Sequence, residues 1–264
     1  MKRYLFVDKA FEIDLCDDCK YEDFKTEQCE VIEKIRVCNF DAIGASSFGV
    51  DFFSKSYAHI MRSSSNPSSM LFSNEDWTNS VICRGNNGEY SEELMITAVY
   101  SALCKFHSLF LHASVIDWQG QGVAFVGPSG IGKTTQAELW QKFEKADIIN
   151  GDKAFVRLLD ETAYIYGSPW RGSSSYCINK KVPLKGIVIL NQSNVNSIRM
   201  LQPDEVIERF VPHVFLPHWD EKCMELALST LDGLLNCVPI WFLECRPDED
   251  AIKITKDSVF CEQA

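Results

Sequence analysis

Apolar and polar positions change their period along the chain. Up to about residue 60 the apolar positions fall in short runs rich in β-branched and aromatic residues: RYLFV (3–7), FEIDL (11–15), EVIEKIRVC (30–38) and VDFF (50–53). Acidic or small residues separate them, and the pattern predicts short strands. RSSSNPSS (62–69) reads as a loop, and SVICRGNNGEY (80–90) as a strand and a turn. From Ser91 the spacing becomes helical, with apolar residues at 94, 95, 98, 99, 102 and 103 behind a serine cap and early glutamates. This helix is expected to deliver the chain to a core beginning near residue 91. Two β-rich runs follow, LFLHASVIDW (109–118) and GVAFVG (122–127), close enough across QGQ to pair as an antiparallel hairpin.

Beyond the hairpin the pattern predicts a helix over 133–145, a strand over 146–152, and a hairpin turning at Asp160 and Glu161. GSPWRGSSSY (167–176) is a loop. Strands are expected at 185–191 and 197–201, helices near 203–212 and 219–236, a strand at 239–245 and a last helix opened by RPDED. Strands and helices alternate only in the C-terminal two thirds, so the expected class is α/β with a mixed sheet. Residues 1–90 form a β-rich portion and 91–264 the core. No internal repeat or low-complexity tail is visible.

Composition narrows the chemistry. With 264 residues and 46% hydrophobic content the chain can bury a substantial core. Its 37 acidic against 26 basic residues give a net charge of −11, which repels polyanions and argues against nucleic acid as a partner. The N-terminus has only a four-residue apolar run before Asp8, and no stretch approaches the ~20 apolar residues of a membrane helix. A cytoplasmic protein without membrane contact is expected. Eleven cysteines, an odd number, suit reduced thiols. Cys16 and Cys19 form a C-x-x-C, but Cys29 and Cys38 stand nine positions apart with no nearby histidine, which is poor spacing for zinc.

The sharpest signal begins at the end of the hairpin. Gly127, Pro128, Ser129, Gly130, Ile131, Gly132, Lys133 and Thr134 fit G-x-x-x-x-G-K-[ST] without mismatch, between a buried strand and a helix. Glycines let backbone N–H groups turn inward around phosphate oxygens, and the helix opening at Lys133 to Thr135 adds its positive dipole. Lys133 is placed for the β- and γ-phosphates and Thr134 for magnesium. A magnesium-nucleotide site also needs a carboxylate. Asp152 lies 19 residues after Lys133, at the end of the very next strand. The bland alternative makes it a turn residue before KAFVR.

LHASVI, GVAFVGPSGIGKTTQAELW, IINGDKAFVR and YGSPWRGSSSY together resemble the HPr serine kinase/phosphorylase superfamily, whose nucleotide fold is shared with ATP-dependent phosphoenolpyruvate carboxykinase. The closer likeness is to small HPr kinase-like proteins encoded beside peptide-modification genes, some of which phosphorylate serine. It spans roughly residues 109 to 260. The resemblance implies a mixed-sheet P-loop fold and a histidine near the phosphates on the strand before the loop, which His112 matches. On sequence alone His112, Ser114 and Ile116 share a strand face and could simply be packed. The chain departs from the family at Asn150-Gly151-Asp152, where HPr kinases carry two adjacent aspartates. Gly151 takes the first acidic position, leaving Asp152 for the metal, the base role or both, with His112 the best substitute base. Arg171 could neutralise the γ-phosphate or hold an acidic acceptor, or be a solvated loop arginine.

The expected activity is magnesium-dependent transfer of the ATP γ-phosphoryl group to a hydroxyl, most plausibly a serine in a peptide, in a small protein or as the free amino acid. HPr itself fits less well, because the later loop and signature segment that engage it find no match. A nucleotide-binding regulatory module and a carboxykinase-like enzyme are the alternatives. HPr kinases are hexamers, so a homo-oligomer is compatible with the resemblance.

Overall fold

The computed structural model describes residues 1–14, 19–28, 30–38, 59–85 and 88–260. The strand expected at 50–53 and the cysteines Cys16 and Cys29 lie outside them. The described cysteines Cys38, Cys83, Cys237 and Cys245 are free thiols.

The chain divides into two compact units, 1–105 and 106–264. In the first, β1 (Lys2–Phe6) and β2 (Lys9–Asp14) form a hairpin, followed by β3 (Val31–Cys38), β4 (His59–Arg62), β5 (Met70–Ser73) and β6 (Asn79–Cys83). They make a six-stranded sheet in the order β1-β2-β3-β6-β5-β4, with β3 parallel to both its neighbours. β4 and β5, four residues each and poor in β-branched side chains, are absent from the sequence-based expectation. Helix α1 (Glu92–Cys104) packs on β3, β5 and β6. The division therefore falls after α1 rather than at 90/91, because the helix lays its apolar residues on this sheet. Ser91 does occupy the N-cap, but its hydroxyl makes no capping bond.

The second unit is a mixed sheet with helices on its faces. β7 (Ser108–Trp118) and β8 (Gln121–Val126) are the expected antiparallel hairpin, closed by Gln119 and Gly120 at φ of 53° and 82°. A two-residue turn with both φ positive matches the twist of such strands. Helix α2 (Lys133–Glu144) leads to β9 (Asp147–Asn150), then to the hairpin β10 (Lys153–Leu159) and β11 (Thr162–Tyr166). β12 (Lys181–Gln192) and β15 (Ile240–Cys245) run parallel to β8, while β13 (Ser197–Met200) pairs antiparallel with β15. The order is β11-β10-β7-β8-β12-β15-β13, and β11 also pairs with β12, so five of these strands close on one another. Helices α3 (Pro203–Arg209), α4 (Glu221–Cys237) and α5 (Glu249–Phe260) complete the unit.

Strand alternation decides what each face buries. On β7, Leu109, Leu111, Ala113 and Val115 join Ala227, Leu231 and Leu234 of α4 in one apolar cluster. Ile116 points the other way, into a second cluster with Ala137 and Trp140 of α2 and Ile252 and Val259 of α5. Each fully buried Leu or Ile contributes about 1.5–3 kcal/mol. A one-residue slip of β7 would exchange the two faces, so this register is firmly held. The even-numbered face, packed at Ile116, becomes polar at Ser114 and opens at His112.

Among the described residues no helix is long and apolar enough to cross a membrane.

Candidate functional site

The loop from Gly127 to Gly132 joins the C-terminal end of β8 to α2. Gly127, Gly130 and Gly132 have φ of 148°, 79° and 112°, backbone that side chains with a Cβ rarely adopt. Gly132 is itself the N-cap of α2, so the first amides of the helix face the loop without a side chain in front of them. Lys133 is buried, and its Nζ donates to the carbonyls of Gly127 at 3.0 Å and Pro128 at 3.2 Å. Burial pushes its pKa down, while the negative charge of Asp152 acts in the opposite sense. Ser129 and Gly130 form the exposed crest.

Thr134 faces β7. Its Oγ1 lies 3.4 Å from Ser114 Oγ and donates to the Gly151 carbonyl at 3.3 Å; Ser114 Oγ donates to the same carbonyl at 2.7 Å. Ser114 thus ties the helix opening to the strand end that carries Asp152, a role the strand alternation hints at but cannot assign.

Asp152 and His112 are brought together. His112 Nε2 stands 3.0 Å from Asp152 Oδ1, and Lys153 Nζ 3.6 Å from Oδ2. The side chains of His112 and Asp152 keep 31% and 23% of their exposure, so both can reach a ligand. The hydrogen bond from His112 is the main cause that holds the Asp152 carboxyl below its ordinary range, against the opposing effect of burial. The charges of His112, Lys153 and Lys133 act in the same lowering sense. Asp152 is therefore an ionised carboxylate at neutral pH. His112 is partly exposed, because the strand face opens to solvent at its position.

A buried amide organises this corner. Asn150 Oδ1 accepts from the backbone N–H groups of Asp152 and Lys153, each at 2.8 Å, and its Nδ2 donates to the carbonyls of Ser168 at 2.8 Å and Trp170 at 3.3 Å. Asn150 is wholly buried, and its side chain shapes the turn at Asp152 as the backbone alone could not.

The glycine at 151 has a steric cause. A Cβ there would lie 2.0 Å from Ser174 Oγ, so the 167–178 loop takes the space an acidic side chain would need. The same loop presses Gly172, at φ of 59°, against Asp152: a Cβ would sit 2.8 Å from the carboxyl carbon. Arg171 lies on the same loop. Its Nη1 donates to the Ser175 carbonyl at 3.2 Å, within its own loop. Trp140 and Trp170 are fully buried and serve as packing.

Gly130, Ile131, Gly132 and Thr135 also line a cleft of about 590 Å³, bounded across from them by the end of β12 and by Arg246. It opens beyond the C-terminal ends of parallel strands, where open α/β sheets bind ligands. Among the described residues no three His, Cys, Asp or Glu side chains converge as a metal centre. Magnesium asks for less, since one carboxylate and one hydroxyl with phosphate oxygens and water complete its shell. Thr134 and Asp152 fit that requirement.

Two residues near the site gave no local signal. His213 sits in a 3-10 turn before β14 (Val214–Phe215), a two-residue strand that pairs with Leu111 and Phe110 of β7. Phe215 is 40% exposed, and its ring centroid lies 6.3 Å from that of His112.

No family model and no curated protein matches the chain. Among solved structures it is similar to the Hpr(Ser) kinase/phosphatase from Coxiella burnetii, with 8% identity and a TM-score of 0.32, over 55% of this chain and 90% of that one. A likeness at that level is too low to set the chemistry of this site, whose residues stand on their own geometry.

Proposed function

We propose that the second unit binds a magnesium-nucleoside triphosphate and transfers its γ-phosphoryl group to a hydroxyl acceptor, a serine in a peptide, in a small protein or as the free amino acid. The observation that carries this reading is the joining of the Lys133–Thr134 loop to the Asp152–His112 pair through the shared Gly151 carbonyl. The loop amides and Lys133 hold the β- and γ-phosphates, and the nucleoside takes the adjacent cleft. Thr134 and Asp152 hold magnesium, which supplies charge neutralisation across the phosphates.

His112 handles the acceptor proton. In the neutral tautomer that donates Nε2–H to Asp152 Oδ1, the imidazole carries on Nδ1 the lone pair that accepts it. Asp152, held ionised, is a weak base but a good ligand and orienter. Phosphoryl transfer through a loose transition state depends mainly on positioning and charge, so a single carboxylate suffices.

A regulatory module that binds nucleotide without transfer is the second reading. It is favoured by Gly151, which Ser174 keeps from carrying a second carboxylate. Incubation with magnesium and γ-labelled ATP, with serine and serine-containing peptides as acceptors, separates the two. Label on an acceptor hydroxyl supports transfer. Nucleotide binding with no labelled acceptor favours the module.

A further inference from the structure

β7 changes neighbours beside His112. On one flank, Lys153 of β10 is the register partner of His112. On the other flank β8 pairs as far as Ala113 with Val126, and β14 takes over at Leu111 with Val214. Between those two partners lies a single β7 position, that of His112. What fills the space beside it is the start of the phosphate loop after Val126 and the residue before Val214, which is His213.

One step beyond Val214 this register leads to His213, the last residue of a 3-10 turn, and the charge of His112 acts on its ring. Its backbone is fixed there by the bond from His213 N–H to the Phe210 carbonyl at 2.9 Å. Its ring is half-buried and makes no hydrogen bond among the described residues. Its ring nitrogens are not among the buried polar atoms that lack a partner, so they are open to a ligand. The charged groups around it are Lys133 of α2, His112 of β7, and Asp152 and Lys153 on the far side of His112.

We propose that His213 is a phosphoryl-contacting residue, donating a ring N–H to the terminal phosphate held by Lys133 and thereby distinguishing triphosphate from diphosphate. Burial first, then the charges of Lys133 and His112, push its pKa down, so at neutral pH it enters as neutral imidazole with one donor. A histidine in this place complements Lys133: the lysine supplies charge, and the imidazole a directed bond from the turn before β14. This inference rests on the phosphate-site reading above.

The test compares magnesium-ATP and magnesium-ADP binding by titration calorimetry for the unaltered chain, His213→Ala and His213→Gln. His213→Ala is expected to weaken ATP about tenfold, the order of one charge-assisted hydrogen bond, and to leave ADP affinity unchanged. His213→Gln, which keeps an N–H donor, is expected to recover part of the difference, and it carries the comparison if the alanine variant does not fold. Equal losses for ATP and ADP, or no loss for either, overturn the role of His213 while the phosphate site stands. Failure of the unaltered chain to bind ATP removes the phosphate-site reading, and this inference with it.

Discussion

Asp152 and His112 meet side chain to side chain at 3.0 Å, one at the start of a strand pair and the other on the strand beside it. Both remain partly open, so the contact is an orienting bond at a surface rather than a buried ion pair. We expect His112→Ala and Asp152→Asn each to lower phosphoryl transfer by about 100- to 10,000-fold, the usual range for losing a positioned acid-base group. Asp152→Asn should also raise the magnesium concentration needed for ATP binding, and His112→Ala should not. If both variants shift the magnesium requirement equally, the division of roles between them is wrong.

The same pair makes a prediction for acid stability. The folded-state pKa of Asp152 is depressed, so its contribution is present above the unfolded value of about 3.9 and is lost as pH falls through the folded value. Thermal melts below pH 4 should show a smaller acid-induced fall in Asp152→Asn than in the unaltered chain. An identical fall would mean that the pair adds nothing to stability.

Lys133 should be separable from the fold. Its ammonium serves the loop carbonyls of Gly127 and Pro128, so Lys133→Ala is expected to keep the far-ultraviolet circular dichroism spectrum. Nucleotide affinity should drop by about tenfold or more, the scale of a lost charged hydrogen bond. Unchanged affinity would dismiss the loop as a phosphate site.

Restoring a second carboxylate ought to damage the site. Gly151→Asp must displace Ser174, and overpacking of this kind costs about 1–3 kcal/mol. Gly151→Asp combined with Ser174→Gly should recover much of the lost melting temperature, a non-additivity that chemical denaturation measures directly. If the double variant is no more stable than Gly151→Asp alone, Ser174 is not the obstacle.

The first unit contains an independent test. Glu33 is fully buried; its Oε1 accepts from Ser80 Oγ at 2.5 Å and its Oε2 has no partner among the described residues. Burial drives its carboxyl well above the usual range, opposed by the Ser80 bond. Because the folded value is raised, the stability linked to this group is full below the unfolded value of about 4.3 and declines as pH rises toward the folded one. Glu33→Gln should flatten the decline that sets in as pH rises above the unfolded value. A melting profile with the same slope would show that Glu33 is ionised in the folded chain.

Local patterns carried much of this structure and long-range packing carried the rest. The β7–β8 hairpin, the glycine loop, α2 and the strand ending at Asn150, two residues before Asp152, follow one another closely, and each announces itself by periodicity or turn residues. The meeting of His112 with Asp152 needed strand pairing, yet the proximity of both to the loop in sequence made it readable. β14 was not readable, because two residues give no alternation, and His213 was hidden with it. Gly151 looked like a lost carboxylate; its cause, Ser174, comes from a loop that folds back across it. Arg171 donates to the Ser175 carbonyl within its own loop, a bond that no sequence pattern announced. α1 has clear helical spacing, which says nothing about which sheet it covers.

Asn150 joins two segments into one mechanical piece. Its buried amide grips the amides of Asp152 and Lys153 with one end and the carbonyls of Ser168 and Trp170 with the other. A displacement of the 168–176 loop is thus transmitted to the carboxylate without passing through solvent or through the phosphate loop. Coupling of that kind acts equally in both directions. In the proposed reaction, an acceptor on this loop and a cation at Asp152 would sense each other through this side chain as well as through the packing of Gly172 on Asp152.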